Sequence, residues 1–330
     1  MIGAAILGLE GPRLSRNEAR LFGAANPLGF ILFSRNIETP AQVAALTAAL
    51  RDAVGRNAPI LIDQEGGRVQ RLRAPHWREW LPPLDQIAAC PDPRAMVLRH
   101  RLIAAELHAL GIDVNCAPTL DIAGPDTHPF LRNRCLGIDA AGVIRQARAA
   151  AEGLLAGGVL PVIKHMPGHG RAVADSHLSL PVVTASRAEL AADFAPFAAL
   201  ADLPIGMSAH IRFTALDEAP ATQSAAVIGL IRSEIGFDGL LLSDDLSMEA
   251  LAGGYGTRAR AALDAGCDVA LYGKGELAHS AAVAEAAGGL TPAAAGRAAA
   301  ALARRAAPEP LDAAAAAAEF EALLGKGAHV

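Results

Sequence analysis

Aromatic side chains are scarce in this chain: nine Phe, two Trp and two Tyr among 330 residues. A core must therefore be filled by Ala, Leu, Val and Ile, which a hydrophobic content of 52% supplies amply. Cysteine is almost as rare. Cys90, Cys116, Cys135 and Cys267 are scattered, with no Cys-x-x-Cys and no tight spacing. That argues against a disulfide scaffold or a thiolate metal centre and for reduced thiols in the core of a cytosolic protein. No uninterrupted apolar run approaches the ~18 residues of a membrane span. Residues 1–10 lack the positive start of a secretory signal and are broken by Glu10, so they read as a first strand, and the expected location is the cytoplasm. The balance of 29 basic and 34 acidic side chains gives a net charge of −5, with no Lys/Arg cluster on a plausible face. Nucleic acid and membrane are thereby poor candidates for a partner. Nothing points to a subunit interface, and a monomer is the expectation.

What the chain does have is alternation. Short β-branched or Leu-rich runs at 5–9, 28–33, 59–63, 112–117, 159–165, 203–210, 239–244 and 267–272 read as strands. Helical patterns lie between them at 40–54, 92–110, 140–156, 187–200, 223–235 and 257–265. Strand, crossover helix, strand is the pattern of a parallel sheet, and eight such units fit a (β/α)8 barrel. A doubly wound open sheet is the alternative. The distribution of chemistry favours the barrel, because Asp63, Asp121, His165, His210 and Asp244 all fall at or just beyond the C-terminal ends of strands. In a barrel those ends form one ring and converge on one pocket; an open sheet concentrates them at one switch point. Beyond Gly273 the chain is dominated by Ala, the best helix former, with Pro308-Glu309-Pro310 isolating a last helix. The expected architecture is α/β: one TIM-type (β/α)8 catalytic domain over 1–330, with the barrel at about 5–305 and extra C-terminal Ala-rich helices forming a cap at about 308–330.

The densest chemistry is Lys164-His165-Met166-Pro167-Gly168-His169-Gly170 followed by Asp175-Ser176-His177. A buried strand that ends in so many titratable groups is hard to explain by stability alone. Two readings stand. His165, His169, His177 and Asp175 could hold a metal, since imidazole and carboxylate suit zinc. The His-x3-His spacing, however, runs through Pro167-Gly168, which breaks the helix that would set both rings on one face, and no Cys or Glu lies nearby. Alternatively Asp175, two residues before His177, fixes that imidazole's tautomer and makes it a general acid/base. Asp63-Gln64-Glu65-Gly66-Gly67-Arg68-Val69-Gln70-Arg71 offers carboxylates and guanidinium groups suited to sugar hydroxyls beside a Gly pair that lets backbone approach a ligand, or else a loop of solvated charge. Ser243-Asp244-Asp245-Leu246-Ser247-Met248 sets a carboxylate where a buried strand emerges. Asp244 is a candidate nucleophile there. Asp245 should point away from it and cap the segment 246–251.

Taken together these segments, with Leu32-Phe33-Ser34-Arg35-Asn36 and Asn133-Arg134, resemble the bacterial β-N-acetylhexosaminidases of glycoside hydrolase family 3, the NagZ type. The resemblance implies a (β/α)8 barrel that removes terminal non-reducing β-linked N-acetylglucosamine with retention of configuration, without a cofactor or metal. Carried over motif by motif, it makes Asp244 the nucleophile, His177 the acid/base and Asp175 its partner. It makes Asp63, Arg71, Arg134, Lys164 and His165 the sugar-binding set, with Asp121, His210 and Met248 as further candidates. The substrate class implied is a small carbohydrate or muropeptide, in particular the N-acetylglucosaminyl-anhydro-muramyl peptides of peptidoglycan recycling. A neutral imidazole base would tolerate an anionic attacking group better than a carboxylate would, so phosphorolysis to N-acetylglucosamine 1-phosphate stands as an alternative outcome, and a metal-dependent hydrolase as another. The Gly-flanked loop that carries Asp175 and His177 is expected to move between turnovers.

Overall fold

The computed structural model describes residues 1–176 and 178–327. Its centre is a closed barrel of eight parallel strands: β1 (Gly3–Leu7), β2 (Pro27–Leu32), β3 (Ile60–Ile62), β4 (Val114–Asn115), β5 (Leu160–Met166), β6 (Ile205–Ser208), β7 (Leu240–Asp245) and β8 (Val269–Tyr272). Each strand pairs with its neighbours in sequence, and β8 closes on β1 through Leu271 opposite Ile6. All eight expected strands are present, as a TIM-type barrel requires.

The helices in chain order are α1 (Arg16–Ala25), α2 (Pro40–Val54), α3 (Pro83–Ala89), α4 (Pro93–Ala109), α5 (Pro129–Arg132), α6 (Ala140–Ala156), α7 (Arg187–Ala199), α8 (Ala225–Ser233), α9 (Tyr255–Asp264), α10 (Leu277–Ala287), α11 (Pro292–Leu302) and α12 (Ala313–Gly327). Local chemistry sets their ends. Thr39 caps α2 ahead of Pro40, Asp139 caps α6, and Ser186 forms a capping box with Glu189 at the start of α7. Helix α1 was not expected from the sequence. Only Glu18 and Phe22 of its ten residues are buried, so no broad apolar stripe announces it, although Ser15 and Glu18 form a full capping box.

Two apolar layers result. Between strands and helices lies the large outer core, with Phe22, Phe30, Leu107, Phe197, Phe237 and Tyr272 among its members. Inside the barrel, Ile6, Leu61, Val114, Leu160, Val162, Ile205, Met207, Leu240, Leu242, Val269 and Leu271 pack against one another. Ala298 and Ala301 of α11 join this inner cluster, so an Ala-rich helix closes one end of the barrel. Helix α12 packs on α3 and α4, tied by Arg94–Glu319 at 2.8 Å. All four cysteines are buried and unpaired. No helix among the described residues is long and apolar enough to cross a membrane.

The period of two along a strand places the site. Leu61, Val162 and Leu242 face the barrel interior. The next residue of the same parity on each strand is Asp63, Lys164 and Asp244 respectively. The alternation that fills the barrel with aliphatic side chains therefore delivers two carboxylates and an ammonium at its C-terminal end.

Candidate active site

A cavity of about 160 Å³ opens at that end, lined among others by Asp63, Arg71, Arg134, Lys164, His165 and Asp244. Met248, Ser176, His169, Phe33, Phe130 and Asp245 complete much of its wall. A larger cleft of about 770 Å³ lies alongside, between the loops holding Ile122, Ile138 and Val173 and helix α7. That cleft is bordered by the Arg171–Asp193 pair at 2.5 Å, whereas Asp63, Arg71, Arg134, Lys164, His165, Asp244 and Met248 gather in the smaller cavity, which Asp121, Asp175 and His210 do not line. We take the smaller cavity as the site on the strength of its chemistry rather than its size.

One side of it is an ion network. The Arg71 guanidinium donates to Asp63 Oδ2 at 2.9 Å, and Lys164 Nζ to Asp63 Oδ1 at 2.9 Å. Lys164 Nζ also lies 2.6 Å from Glu65 Oε1, and Arg134 donates twice to Glu65, at 2.8 and 2.9 Å. Burial alone would raise both carboxylates. For Asp63, Lys164 and Arg71 reverse that and hold it well below the usual range. For Glu65, Arg134 and Lys164 do the same and hold it at about 2. Burial would likewise strip Lys164 of its proton, but Asp63 and Glu65 keep it charged. Asp63, Glu65, Arg134 and Lys164 are thus ionised at neutral pH. From the sequence Glu65 is one of the carboxylates suited to sugar hydroxyls but not a member of the sugar-binding set that the resemblance implies. Its partners lie 69 and 99 residues away, and only the fold reveals them.

The hairpin Gln64–Gly66/Val69–Gln70 carries Glu65 and orients Arg71, whose amide donates to the Gln64 side chain at 2.9 Å. It turns at Gly66 and Gly67, both with positive φ (109° and 58°). A Cβ on Gly66 would also lie 2.0 Å from an Arg99 guanidinium nitrogen, so this Gly pair is required by packing as well as conformation.

Histidines line the next stretch of wall. His165 Nδ1 is 2.7 Å from Asp121 Oδ2, which fixes that nitrogen and leaves Nε2 for the cavity. Asp121 itself is buried outside the cavity, and its Oδ1 accepts the His169 amide at 2.6 Å. The His169 ring lies edge-on to His165 and Phe130, and neither of its nitrogens has a hydrogen-bond partner among the described residues. Burial, helped by His165, holds this ring near pKa 4 and therefore neutral. No group of three His, Cys, Asp or Glu among the described residues is placed to hold a metal ion.

Strand β7 ends in the Asp pair. Asp244 Oδ1 accepts the Asp245 amide at 2.8 Å. Burial pushes Asp244 up, but His210, His165, that amide and Lys164 outweigh it and bring it below its ordinary value. Burial raises Asp245, despite the amides of Ser247 and Gly273, each 2.9 Å from its Oδ1. Two adjacent carboxylates are thus driven apart: one is kept ionised and the other is turned into the backbone. As expected, Asp245 supports structure, but what it supports is a turn over 246–250 and the end of β8, because no helix forms there. His210 does not line the cavity. It is fully buried behind β7, with Nε2 3.0 Å from the Asp245 carbonyl.

Asp175 and Ser176 stand on the loop after β5. Ser176 lines the cavity, and the Asp175 carbonyl accepts the Leu178 and Ser179 amides at 3.0 and 3.1 Å. His177 lies outside the described residues. Arg68, also on the cavity wall, donates to the Phe130 carbonyl and stacks on the Phe130 ring.

A closed parallel barrel that gathers ionised carboxylates, cations and imidazoles at the C-terminal ends of its strands has its active site there and suits a polar substrate. Residues 8–301 match the Glycosyl hydrolase family 3 N terminal domain. The Beta-hexosaminidase of Alkalilimnicola ehrlichii is 42% identical over 285 residues, which cover 82% of this chain and 80% of that protein. The Beta-hexosaminidase of Bordetella pertussis is 39% identical over 293 residues, covering 84% of this chain and 81% of the relative. The crystal structure of NagZ from Neisseria gonorrhoeae in complex with N-trifluoroacetyl-D-glucosamine aligns with a TM-score of 0.82 at 31% identity, over 99% of this chain and 97% of that one. The protein is a glycoside hydrolase. It belongs to glycosyl hydrolase family 3.

Proposed function

We propose that the protein is a retaining exo-β-N-acetylglucosaminidase that releases terminal non-reducing N-acetylglucosamine, with N-acetylglucosaminyl-anhydro-muramyl peptides as its substrates in peptidoglycan recycling. The observation that carries this reading is the pairing of an ionised, cavity-lining Asp244 with a wall of hydroxyl-binding groups in a family whose relatives are named Beta-hexosaminidase. Retention requires a nucleophile that traps the oxocarbenium-like centre and an acid that protonates the leaving oxygen. Asp244 takes the first role and forms a covalent glycosyl ester. His177, oriented by Asp175, takes the second. It protonates the leaving oxygen, then removes a proton from the attacking water as the ester is cleaved. The cations of Arg71, Lys164 and Arg134, with Asp63 and His165 Nε2, bind the hydroxyls, and Met248 offers the sugar an apolar contact. Asp121 serves from outside by fixing His165.

The test is release of the aryl alcohol from an aryl β-N-acetylglucosaminide in the presence of chelator, by the natural sequence and by Asp244→Asn. Turnover by the first with near-total loss in the second is expected. Equal rates would remove Asp244 as nucleophile. Activity that returned only on adding metal would replace the acid/base dyad with a metal centre.

A further inference from the structure

Behind the Asp pair runs a buried polar chain that the mechanism above does not use. His210, Thr222 and Ser208 are all fully buried, with the Cys267 thiol 3.9 Å from Ser208 Oγ and 3.7 Å from the Thr222 carbonyl. Thr222 Oγ1 lies 2.8 Å from Ser208 Oγ and 2.9 Å from His210 Nδ1, and His210 Nε2 lies 3.0 Å from the Asp245 carbonyl. A carbonyl has no proton to give, so Nε2 carries the hydrogen. Burial lowers the ring's pKa, which keeps it neutral and leaves Nδ1 as an acceptor. Thr222 Oγ1 also lies 2.9 Å from the Ala209 carbonyl, so its single proton is shared between that carbonyl and His210 Nδ1, and the Ser208 hydroxyl packs against it. The chain is anchored on the Ala209 carbonyl at one end, and at the other the His210 Nε2–H donates to the backbone beside the nucleophile.

That backbone is held on several sides. The Asp245 carbonyl also accepts the Met248 amide at 3.1 Å, its side chain accepts two further amides, and its own amide donates to Asp244 Oδ1 at 2.8 Å. We propose that His210 is a positioning residue: by fixing the Asp245 carbonyl it aims the Asp245 amide at Asp244 Oδ1, which leaves Oδ2 to attack the sugar. Hydrogen-bonded at both ring nitrogens and walled off from the cavity, it touches the site through the Asp245 backbone. A nucleophile displaced by about 1 Å can lose ~10²-fold in rate, so the network matters to turnover far more than to sugar binding. This inference rests on the nucleophile assigned above.

Three variants test it in steady-state hydrolysis of an aryl β-N-acetylglucosaminide, with Asp244→Ala as control. His210→Phe keeps a ring but loses both hydrogen bonds, and its kcat is expected to fall by about 30- to 100-fold with KM within about threefold. His210→Gln retains an amide that can reach the Asp245 carbonyl and should recover about tenfold of that loss. Thr222→Val, which never meets substrate, should lower kcat by about fivefold. Should His210→Phe fail to fold, the other two variants decide alone. If kcat stays within threefold in every folded variant, or if Gln does no better than Phe, His210 is core packing and the inference falls. If Asp244→Ala remains active, the nucleophile assignment falls instead.

Discussion

Glu65→Gln probes the network beneath the cavity with the least change of shape. Glu65 is buried and accepts from both Arg134 donors while lying 2.6 Å from Lys164 Nζ. The cluster of Asp63, Glu65, Arg71, Lys164 and Arg134 holds two carboxylates against three cations; the substitution leaves one, and Arg134 loses its carboxylate partner. Breaking a buried pair from one side costs about 3–5 kcal/mol, because the remaining charge stays desolvated. Linkage gives an independent figure. Glu65 drops from the usual 4.5 to about 2 in the folded protein, which corresponds to roughly 3 kcal/mol at ~1.4 kcal/mol per pH unit. The two agree. Because the folded value lies below the unfolded one, this stability is fully present above about pH 4.5 and is lost as pH falls toward 2. Urea unfolding followed by circular dichroism at pH 7, 5, 4 and 3 should show the variant about 3–4 kcal/mol less stable at pH 7, with the gap narrowing as pH falls. The thermal midpoint should drop by roughly 4–6 °C in a chain of this size. A variant with an unchanged midpoint at pH 7 and an acid limb parallel to that of the natural sequence would refute the argument that this network is coupled and buried.

Two further substitutions address the loop after β5. Asp175→Ala should lower kcat for an aryl N-acetylglucosaminide by ~10²-fold or more, the scale of general acid/base effects; a rate within a few-fold of normal would take Asp175 out of the mechanism. Gly170→Ala would set a Cβ 2.1 Å from the Ile122 carbonyl oxygen, a backbone atom that cannot easily yield. We expect a loss of about 1–3 kcal/mol in unfolding together with a lower kcat, since the displaced segment leads to Asp175. An Ala variant normal on both counts would mean that the loop has room to spare.

Much of the fold could be read from the sequence because a (β/α)8 barrel repeats one signal eight times. Apolar runs such as 159–163 and 239–242 are long enough to mark buried strands, and the alternation that fills the interior continues directly into Lys164 and Asp244. Strand β4 was harder to delimit. The expected run over 112–117 contracts to Val114–Asn115, because the Asn115 side chain takes over the pairing: it accepts the Gln64 amide at 3.0 Å and donates to the Gln64 carbonyl at 3.1 Å. A side chain standing in for a ladder leaves no periodicity to detect. The first strand lies at Gly3–Leu7 rather than 5–9, since the end of an apolar run does not reveal where neighbouring backbone will pair.

For the site, residue type and position after a strand identified the groups on the cavity wall, but could not separate a side chain that faces the cavity from one that holds such a side chain in place. Asp63, Asp121, His165, His210 and Asp244 share the same sequence signature, a titratable residue at a strand's C-terminal end. Three of them line the cavity; Asp121 and His210 do not. The difference lies in partners that are distant in sequence: His165 lies 44 residues from Asp121, and the Asp245 carbonyl 35 residues from His210. Each of these two buried groups holds a cavity residue or the backbone next to one, and burial of a polar group is tolerable only because those bonds are made. Strand-end chemistry in this barrel therefore comes in two layers, one that lines the cavity and one that hydrogen-bonds to the first or to its backbone. Only the closed arrangement of β4 to β7 assigns a given residue to its layer.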